Sequence, residues 1–201
     1  MALTNVWLFE EYKKTGFEIK PNDTIIDIGA HIGLFSVYAS QYCSDGKIFS
    51  FEPIKENYEL LDNNIKLNSL KNIKIFNFAV SGNSNPIKLF INQDEAAHSM
   101  LFESSKSIIV NSISLQKLFD ENKIEFCDLL KLDCEGAEYE IIKNLPSEYF
   151  KKIDKIIMEY HMSNIHSKLF TEIKEILSYQ KFKIEIRSSD LGMGFIYAKK
   201  S

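Results

Sequence analysis

From residue 24 onward, short runs rich in β-branched and aromatic residues alternate with longer stretches whose apolar positions recur every three to four residues. That alternation predicts an α/β domain built on a mostly parallel sheet. The first strand spans residues 24–29, and a helix with Phe35, Ala39 and Tyr42 on one face follows over 33–43. Asp45-Gly46 turns into a second strand over 47–52. Pro53 suits a helix start, and Ile54, Tyr58, Leu61 and Ile65 then make one buried helical face. A third strand is expected over 73–81, turn chemistry over 81–86, an added strand over 87–92 and a polar loop over 94–107. Residues 108–114 lead into a helix over 115–120. Strands over 126–133 and 155–160 flank a short helix over 137–145, and Leu169, Ile173, Ile176 and Leu177 mark a further helix. Residues 182–186 and 194–199 read as a terminal antiparallel hairpin joined by 188–193. No repeat or linker-like stretch divides the chain, so residues 1–201 are expected to form a single domain.

Composition narrows the function. With 201 residues, 45% of them apolar and 26% charged, the chain can bury one core without staples. Its 24 Lys plus Arg against 28 Asp plus Glu leave a net charge of −4, which excludes a protein whose main partner is a nucleic-acid backbone. Arg187 is the one arginine, so an anion clamp of several guanidinium groups is excluded too. Cys43, Cys127 and Cys134 form no C-x-x-C and have no histidine cluster nearby. This argues against a disulfide scaffold or a structural zinc site and for a reducing, cytoplasmic setting. No apolar run approaches the roughly 18 residues of a membrane span, and residues 1–14 lack the basic-then-apolar order of a secretory signal.

The densest chemistry lies where the first strand meets the first helix, at Ile26-Asp27-Ile28-Gly29-Ala30-His31-Ile32-Gly33. Ligands of open α/β sheets bind outside the carboxyl ends of the strands, near the point where strand order reverses. Gly29 and Gly33 let the backbone approach a ligand and let strand and helix pack closely. The spacing is G-x-x-x-G rather than the G-x-G-x-x-G of a dinucleotide site, and no G-K-[ST] occurs. Glu52 ends the second strand, where a carboxylate can accept both hydroxyls of a ribose. Asp27, ahead of the first glycine, welcomes an amino group or a cation and would repel a pyrophosphate. Together these favour S-adenosylmethionine over a nicotinamide dinucleotide.

These segments, with Phe51-Glu52-Pro53, Lys131-Leu132-Asp133-Cys134-Glu135-Gly136-Ala137-Glu138 and Glu159-Tyr160-His161, resemble the FkbM-type family of S-adenosylmethionine-dependent methyltransferases, from about residue 25 to residue 161. The K-x-D-x-E-G-A-E block is the most specific part. The resemblance implies the class I methyltransferase fold, a Rossmann-like, mostly parallel seven-stranded sheet in the order 3-2-1-4-5-7-6, with strand 7 antiparallel and helices on both faces. The terminal hairpin read above fits it independently. The resemblance also implies methyl transfer, mostly to hydroxyl groups of sugars and secondary metabolites, with S-adenosylhomocysteine as product. It places Asp27, Gly29, Ala30, His31 and Gly33 around the methionine part of the cofactor and Glu52 on the ribose. Pro53, Ile54, Ala79 and Val80 would flank the adenine, with Asn77 or Ser81 where an acid often meets the adenine amine.

Asp133-Cys134-Glu135-Gly136-Ala137-Glu138 closes a strand at the same sheet edge. Buried carboxylates there need a reason, being costly unless paired. Asp133 is expected to face the cofactor's amino group or the acceptor, with Glu135 at the same end, and Glu138 to favour the positive start of the next helix. Glu159 and His161 lie two apart on one strand and point to one face. Transfer from a sulfonium is an in-line displacement that needs donor and acceptor aligned, and a hydroxyl acceptor must lose its proton. His161 is the candidate base by its natural pKa, with Glu159 orienting it or binding the acceptor. His98, in the polar loop, is a second candidate and reads as a solvated residue, as His166 does. Asp133, Glu135 and Glu159 could supply oxygen ligands, but the Asp-Asn pattern of a metal-assisted site is absent and no metal is expected. The lack of D-P-P-Y or N-P-P-Y after the fourth strand argues against a nucleobase amine as target. Trp7, Phe9 and Tyr12 could lie over the cofactor pocket, where aromatic faces attract a sulfonium, but they read rather as an amphipathic helix packing on the sheet.

The sequence therefore points to a methyltransferase acting on a hydroxyl of a glycan, sugar or small molecule, with no nucleic-acid or membrane partner. Two alternatives stay open. One is a non-catalytic S-adenosylmethionine-binding module. The other is a dinucleotide-dependent oxidoreductase, which shares the strand-loop-helix and Glu52. The acceptor pocket is expected to come from variable loops.

Overall fold

The computed structural model describes residue 12 and residues 14–91, 106–134, 136–161, 167–188 and 193–201. The chain runs β1 (Thr24–Ile28), α1 (Leu34–Ser40), β2 (Lys47–Phe51), α2 (Lys55–Leu67), β3 (Ile73–Phe76), β4 (Ala79–Ser81), β5 (Ile87–Ile91), β6 (Lys106–Val110) and β7 (Ser112–Ser114). It continues through α3 (Leu115–Glu121), β8 (Cys127–Leu132), α4 (Glu138–Asn144), α5 (Ser147–Phe150), β9 (Ile153–Tyr160), α6 (Ser167–Tyr179), β10 (Phe182–Ser188) and β11 (Gly194–Lys200).

Seven strands form one sheet in the order β10-β11-β9-β8-β1-β2-β3. Counting only these strands and starting from β3, this is the expected 3-2-1-4-5-7-6. The labels differ because β4 to β7 intervene in the chain without joining the sheet. β11 runs antiparallel to β9 and β10, while the other pairs are parallel. Apolar residues dominate β1 and β8 because both faces of a parallel sheet are covered. On one face Ile26, Ile28, Leu130, Leu132 and Met158 pack with residues of α3, α4 and α6. On the other, Ile25, Leu129 and Ile157 pack with Phe35, Tyr38 and Ala39 of α1 and with Tyr12 and Phe17. No described helix is long and apolar enough to cross a membrane.

The expected third strand divides in two. β3 stops at Phe76 because Asn77 turns its side-chain amide to the carbonyl oxygens of Glu52 (2.9 Å) and Pro53 (3.1 Å). Ala79–Ser81 then leaves the sheet and pairs in parallel with Ser112–Ser114, a long-range pairing that local pattern does not encode. β5 and β6 form a separate antiparallel pair. Lys106 and Ser107 belong to β6 and not to the expected loop, whose residues 94–105, with His98, lie outside the described ones. The short helix α5 was not foreseen, and β9 starts two residues earlier than its pattern suggested.

Candidate active site

Strand register assembles the site. Asp27 is level with Ser50 on β2 and with Lys131 on β8, and Lys131 is level with Ile157 on β9. Side chains two residues apart on a strand share a face. The face occupied by Ile25, Leu129 and Ile157 is the one covered by α1, so Asp27, Lys131, Asp133, Glu159 and His161 all fall on that side. The last three lie at the carboxyl ends of their strands.

Beneath this edge runs a buried polar network. Asp27 is fully buried and accepts a 2.6 Å hydrogen bond on Oδ2 from the Ser36 hydroxyl of α1. Ser36 and Ser50 hydroxyls are 2.8 Å apart; since the Ser36 proton goes to Asp27, Ser50 is the donor. The Lys131 ammonium lies 3.1 Å from Asp27 Oδ1 and 3.4 Å from Asp133 Oδ2, and donates to the Gly29 carbonyl at 2.8 Å. Burial alone would lower the Lys131 pKa, but Asp27 and Asp133 hold it well above 10.5.

The loop after β1 lies over that network. Gly29, His31 and Gly33 have φ of 76°, 51° and 87°. A Cβ on Gly29 would sit 1.7 Å from the Asp133 carbonyl oxygen, and one on Gly33 2.4 Å from Leu61 Cδ1; only glycine permits these approaches. His31 N–H donates to Glu52 Oε2 at 2.8 Å and Ile54 N–H to Oε1 at 2.9 Å. Glu52 is buried, and that burial raises its carboxyl above 4.5 against the pull of the two N–H groups. The Asn57 side chain donates to the carboxylate as well, and with about four acceptor sites on its two oxygens Glu52 retains room for a ribose hydroxyl. Ala30, Ile54, Ala79 and Val80 turn their side chains into packing, so what they offer a ligand is chiefly backbone. Ser81 is buried as well.

At the reacting end, His161 Nε2 lies 3.8 Å from Glu159 Oε1, and His161 Nδ1 lies 3.9 Å from Glu138 Oε1. Glu138 is fully buried and accepts from the N–H groups of Cys134 and Gly136, both at 2.7 Å. Its helix-start role is thus that of a clasp on the loop before α4. Burial raises its carboxyl above 4.5, opposed by His161. The Tyr139 hydroxyl donates to the His161 carbonyl at 2.9 Å, which fixes the backbone there. Asp133, Glu159 and His161 each offer one ligand atom, and all these atoms lie within 4.8 Å of one another. Such a group can serve as base and orienting acids, or hold a divalent cation.

The structure thus brings together Asp133, Glu159 and His161 and backs them with Asp27 through Lys131. Glu135, Trp7, Phe9, His98 and His166 lie outside the described residues. Lys131, Ser36 and Ser50 were missed, although Lys131 stands two residues before Asp133 and strand alternation puts both on one face. Tyr12 lies in a turn and not in the expected helix, yet it packs on Phe35 and Phe195, with ring centroids at 4.7 and 6.1 Å. Its phenol pKa is raised well above 10 by burial, with Lys131 opposing and Asp133, Glu159 and Asp27 adding; it therefore shares the field of the reacting end. Asp27, Glu52, Asp133, Glu138 and Glu159 outnumber Lys131 here. That donor set fits a cofactor carrying a sulfonium and an ammonium, and disfavours a pyrophosphate.

Doubly wound sheets serve many nucleotide enzymes, but an antiparallel strand slotted between the fifth and sixth members of the sheet is the arrangement of the class I methyltransferases. Within that class, the methyltransferase FkbM domain matches residues 27–184, and the chain belongs to this family. Methyltransferase sdnD of Sordaria araneosa is 26% identical over 171 residues, 69% of this chain and 66% of that protein. Hexuronic acid methyltransferase AglP of Haloferax volcanii is 21% identical over 183 residues, 91% of this chain and 73% of that protein. A methyltransferase FkbM from Methylobacillus flagellatus, known from its crystal structure, shares the fold with a TM-score of 0.65 at 16% identity. That match covers 93% of this chain and 46% of the other, so the chain spans under half the length of that protein.

Proposed function

We propose that the chain is an S-adenosylmethionine-dependent O-methyltransferase acting on a hydroxyl of a sugar, glycan or small metabolite. The observation that carries this reading is the convergence of Asp133, Glu159 and His161 within 4.8 Å, at the sheet edge beside the Gly29 loop. The cofactor supplies an electrophilic methyl group on a sulfonium. The loop over residues 29–33 and Glu52 hold it, and Asp133 faces its charged end. Glu159 accepts from a neighbouring hydroxyl of the acceptor and so aligns it, an ordering effect that lowers the barrier of an in-line displacement. His161 takes the hydroxyl proton at Nε2, a step that contributes roughly 10²–10⁴ in rate. The imidazolium so formed is stabilised by Glu159 and Glu138, which face its two nitrogens at 3.8 and 3.9 Å. A relative named for a hexuronic acid supports a sugar acceptor. The three free thiols support a cytoplasmic setting.

The same convergence favours a second reading, in which a divalent cation joins the acceptor oxygen to the protein. Ligands of an octahedral ion with bonds of about 2.1 Å lie roughly 3.0 Å apart when adjacent and roughly 4.2 Å when opposite, so His161 and Glu159, now 3.8 Å apart, would close by several tenths of an ångström to hold one as neighbours. The test is incubation with methyl-labelled S-adenosylmethionine and a panel of neutral sugars, uronic acids and hydroxylated metabolites, with and without EDTA. A labelled methyl ether formed in EDTA supports the base reading. Product lost in EDTA and restored by Mg²⁺ or Mn²⁺ supports the cation. Cofactor binding with transfer to no acceptor of the panel supports the non-catalytic module instead.

A further inference from the structure

Lys131 takes no part in that mechanism, yet it is the most connected charge beneath the site. It is 3% exposed and touches Asp27 (3.1 Å), Asp133 (3.4 Å) and the Gly29 carbonyl (2.8 Å). The carboxylate facing the reaction and the loop carrying the cofactor are therefore fixed to one ammonium. We propose that Lys131 is a positioning residue that sets the pocket's preference between the cationic methyl donor and its neutral thioether product. The inference rests on the reading that the donor's sulfonium lies at the Asp133 end.

The reasoning is electrostatic. Methyl transfer erases the sulfonium charge, so a site that is too negative holds the donor more firmly than the transition state and slows the reaction. Asp27 and Asp133 together would make such a site. Lys131, shielded from water, offsets part of their field where the effective dielectric is low.

Calorimetry with S-adenosylmethionine and S-adenosylhomocysteine on the wild type, Lys131→Met and Asp133→Asn tests this. In Lys131→Met the ratio of donor to product affinity rises roughly tenfold, about 1.4 kcal/mol. In Asp133→Asn the ratio falls by a similar factor. A purely structural role weakens both ligands together; an unchanged ratio in either variant overturns the proposal, as does a shift of the same sign in both. Lys131→Met leaves Asp27 buried without its counter-ion, so Lys131→Gln, which keeps a hydrogen-bond donor, is measured beside it and circular dichroism checks both folds. Should neither fold, Asp133→Asn decides: its carboxylate is part-exposed, and the proposal falls unless the ratio drops. No acceptor enters these titrations, so a failure to find methylated product bears on the proposed function alone.

Discussion

Replacing Glu52 gives the sharpest test of how the loop after β1 is held. Glu52 accepts from His31 N–H and Ile54 N–H at 2.8 and 2.9 Å while almost wholly buried. Hydrogen bonds to a charged group contribute about 1.5–3 kcal/mol each, and removing the carboxylate strands one buried donor, Ile54 N–H, and one part-buried donor, His31 N–H. Part of that loss is offset, because burying the ionised carboxylate is itself costly. The net expectation for Glu52→Ala is about 2–3 kcal/mol of lost stability. For a chain of this length that is a fall in Tm of roughly 5–10 °C. His31, a non-glycine residue at φ 51°, loses the partner that holds its left-handed conformation, so the loop over residues 29–33 relaxes. Cofactor affinity then falls at least about tenfold, or 1.4 kcal/mol. Urea unfolding and calorimetry with S-adenosylmethionine measure the two quantities. Stability within about 0.5 kcal/mol of wild type together with unchanged affinity would refute the reasoning.

Glu52 also makes a pH-dependent contribution. Its folded pKa is raised above the unfolded value of 4.5, so the folded chain binds the extra proton between the two values. The stability this group contributes is complete below pH 4.5 and is lost as pH rises through the folded pKa. The stability of wild type relative to Glu52→Gln should therefore be greater at about pH 4 than at about pH 7. A difference that grows with rising pH would reverse the assignment.

The other predictions are local. Gly29→Ala forces a Cβ to 1.7 Å from the Asp133 carbonyl oxygen at φ +76°, and a loss exceeding about 3 kcal/mol is expected in urea unfolding; a loss under about 1 kcal/mol would contradict the close approach. His161→Ala should lower turnover at least about 100-fold and change cofactor affinity little, and methylation at the wild-type rate would remove His161 as the base. Cys43 is buried with its thiol pKa pushed up to about 11 by that burial, Asp23 adding to it, and Cys127 is raised further. Both should resist a thiol-specific disulfide reagent at pH 8 and react once the chain is unfolded in urea.

What the sequence made legible was local or periodic. Runs such as Ile25-Ile26-Asp27-Ile28 and Leu129-Leu130-Lys131-Leu132 declare buried strands, and the glycine pair with Glu52 locates the loop at their ends. The terminal hairpin was readable because β10 and β11 are joined by a short connection. What escaped depends on contacts far apart in the chain. The break after Phe76 is made by an Asn77 side chain reaching back to Glu52 and Pro53, and the pairing of Ala79–Ser81 with Ser112–Ser114 has no local signature. Lys131 looked like one letter of a motif. Its meaning comes from the register that sets it level with Asp27. Tyr12 was legible as apolar surface but not as a hydroxyl near the strand-end carboxylates, because its neighbours there come from β1, β8 and β9.

The β5–β6 pair also divides the molecule energetically, whereas Val80 of β4 and Ile113 of β7 belong to the main core. Ile54, Ala79, Leu89 and Val110 form a small cluster apart from the cores on the two sheet faces, and Ile109 in β6 is 80% exposed. An arm with so little buried apolar surface opens at a lower free energy than the sheet it is attached to. In amide hydrogen exchange, β5 and β6 should lose protection early, while β1 and β8 exchange only through global unfolding. The two layers of protection would mean that this chain carries an exchangeable module on a permanent frame, and that changes in the arm can accumulate without drawing on the stability of the strands that hold Asp27, Lys131 and Asp133.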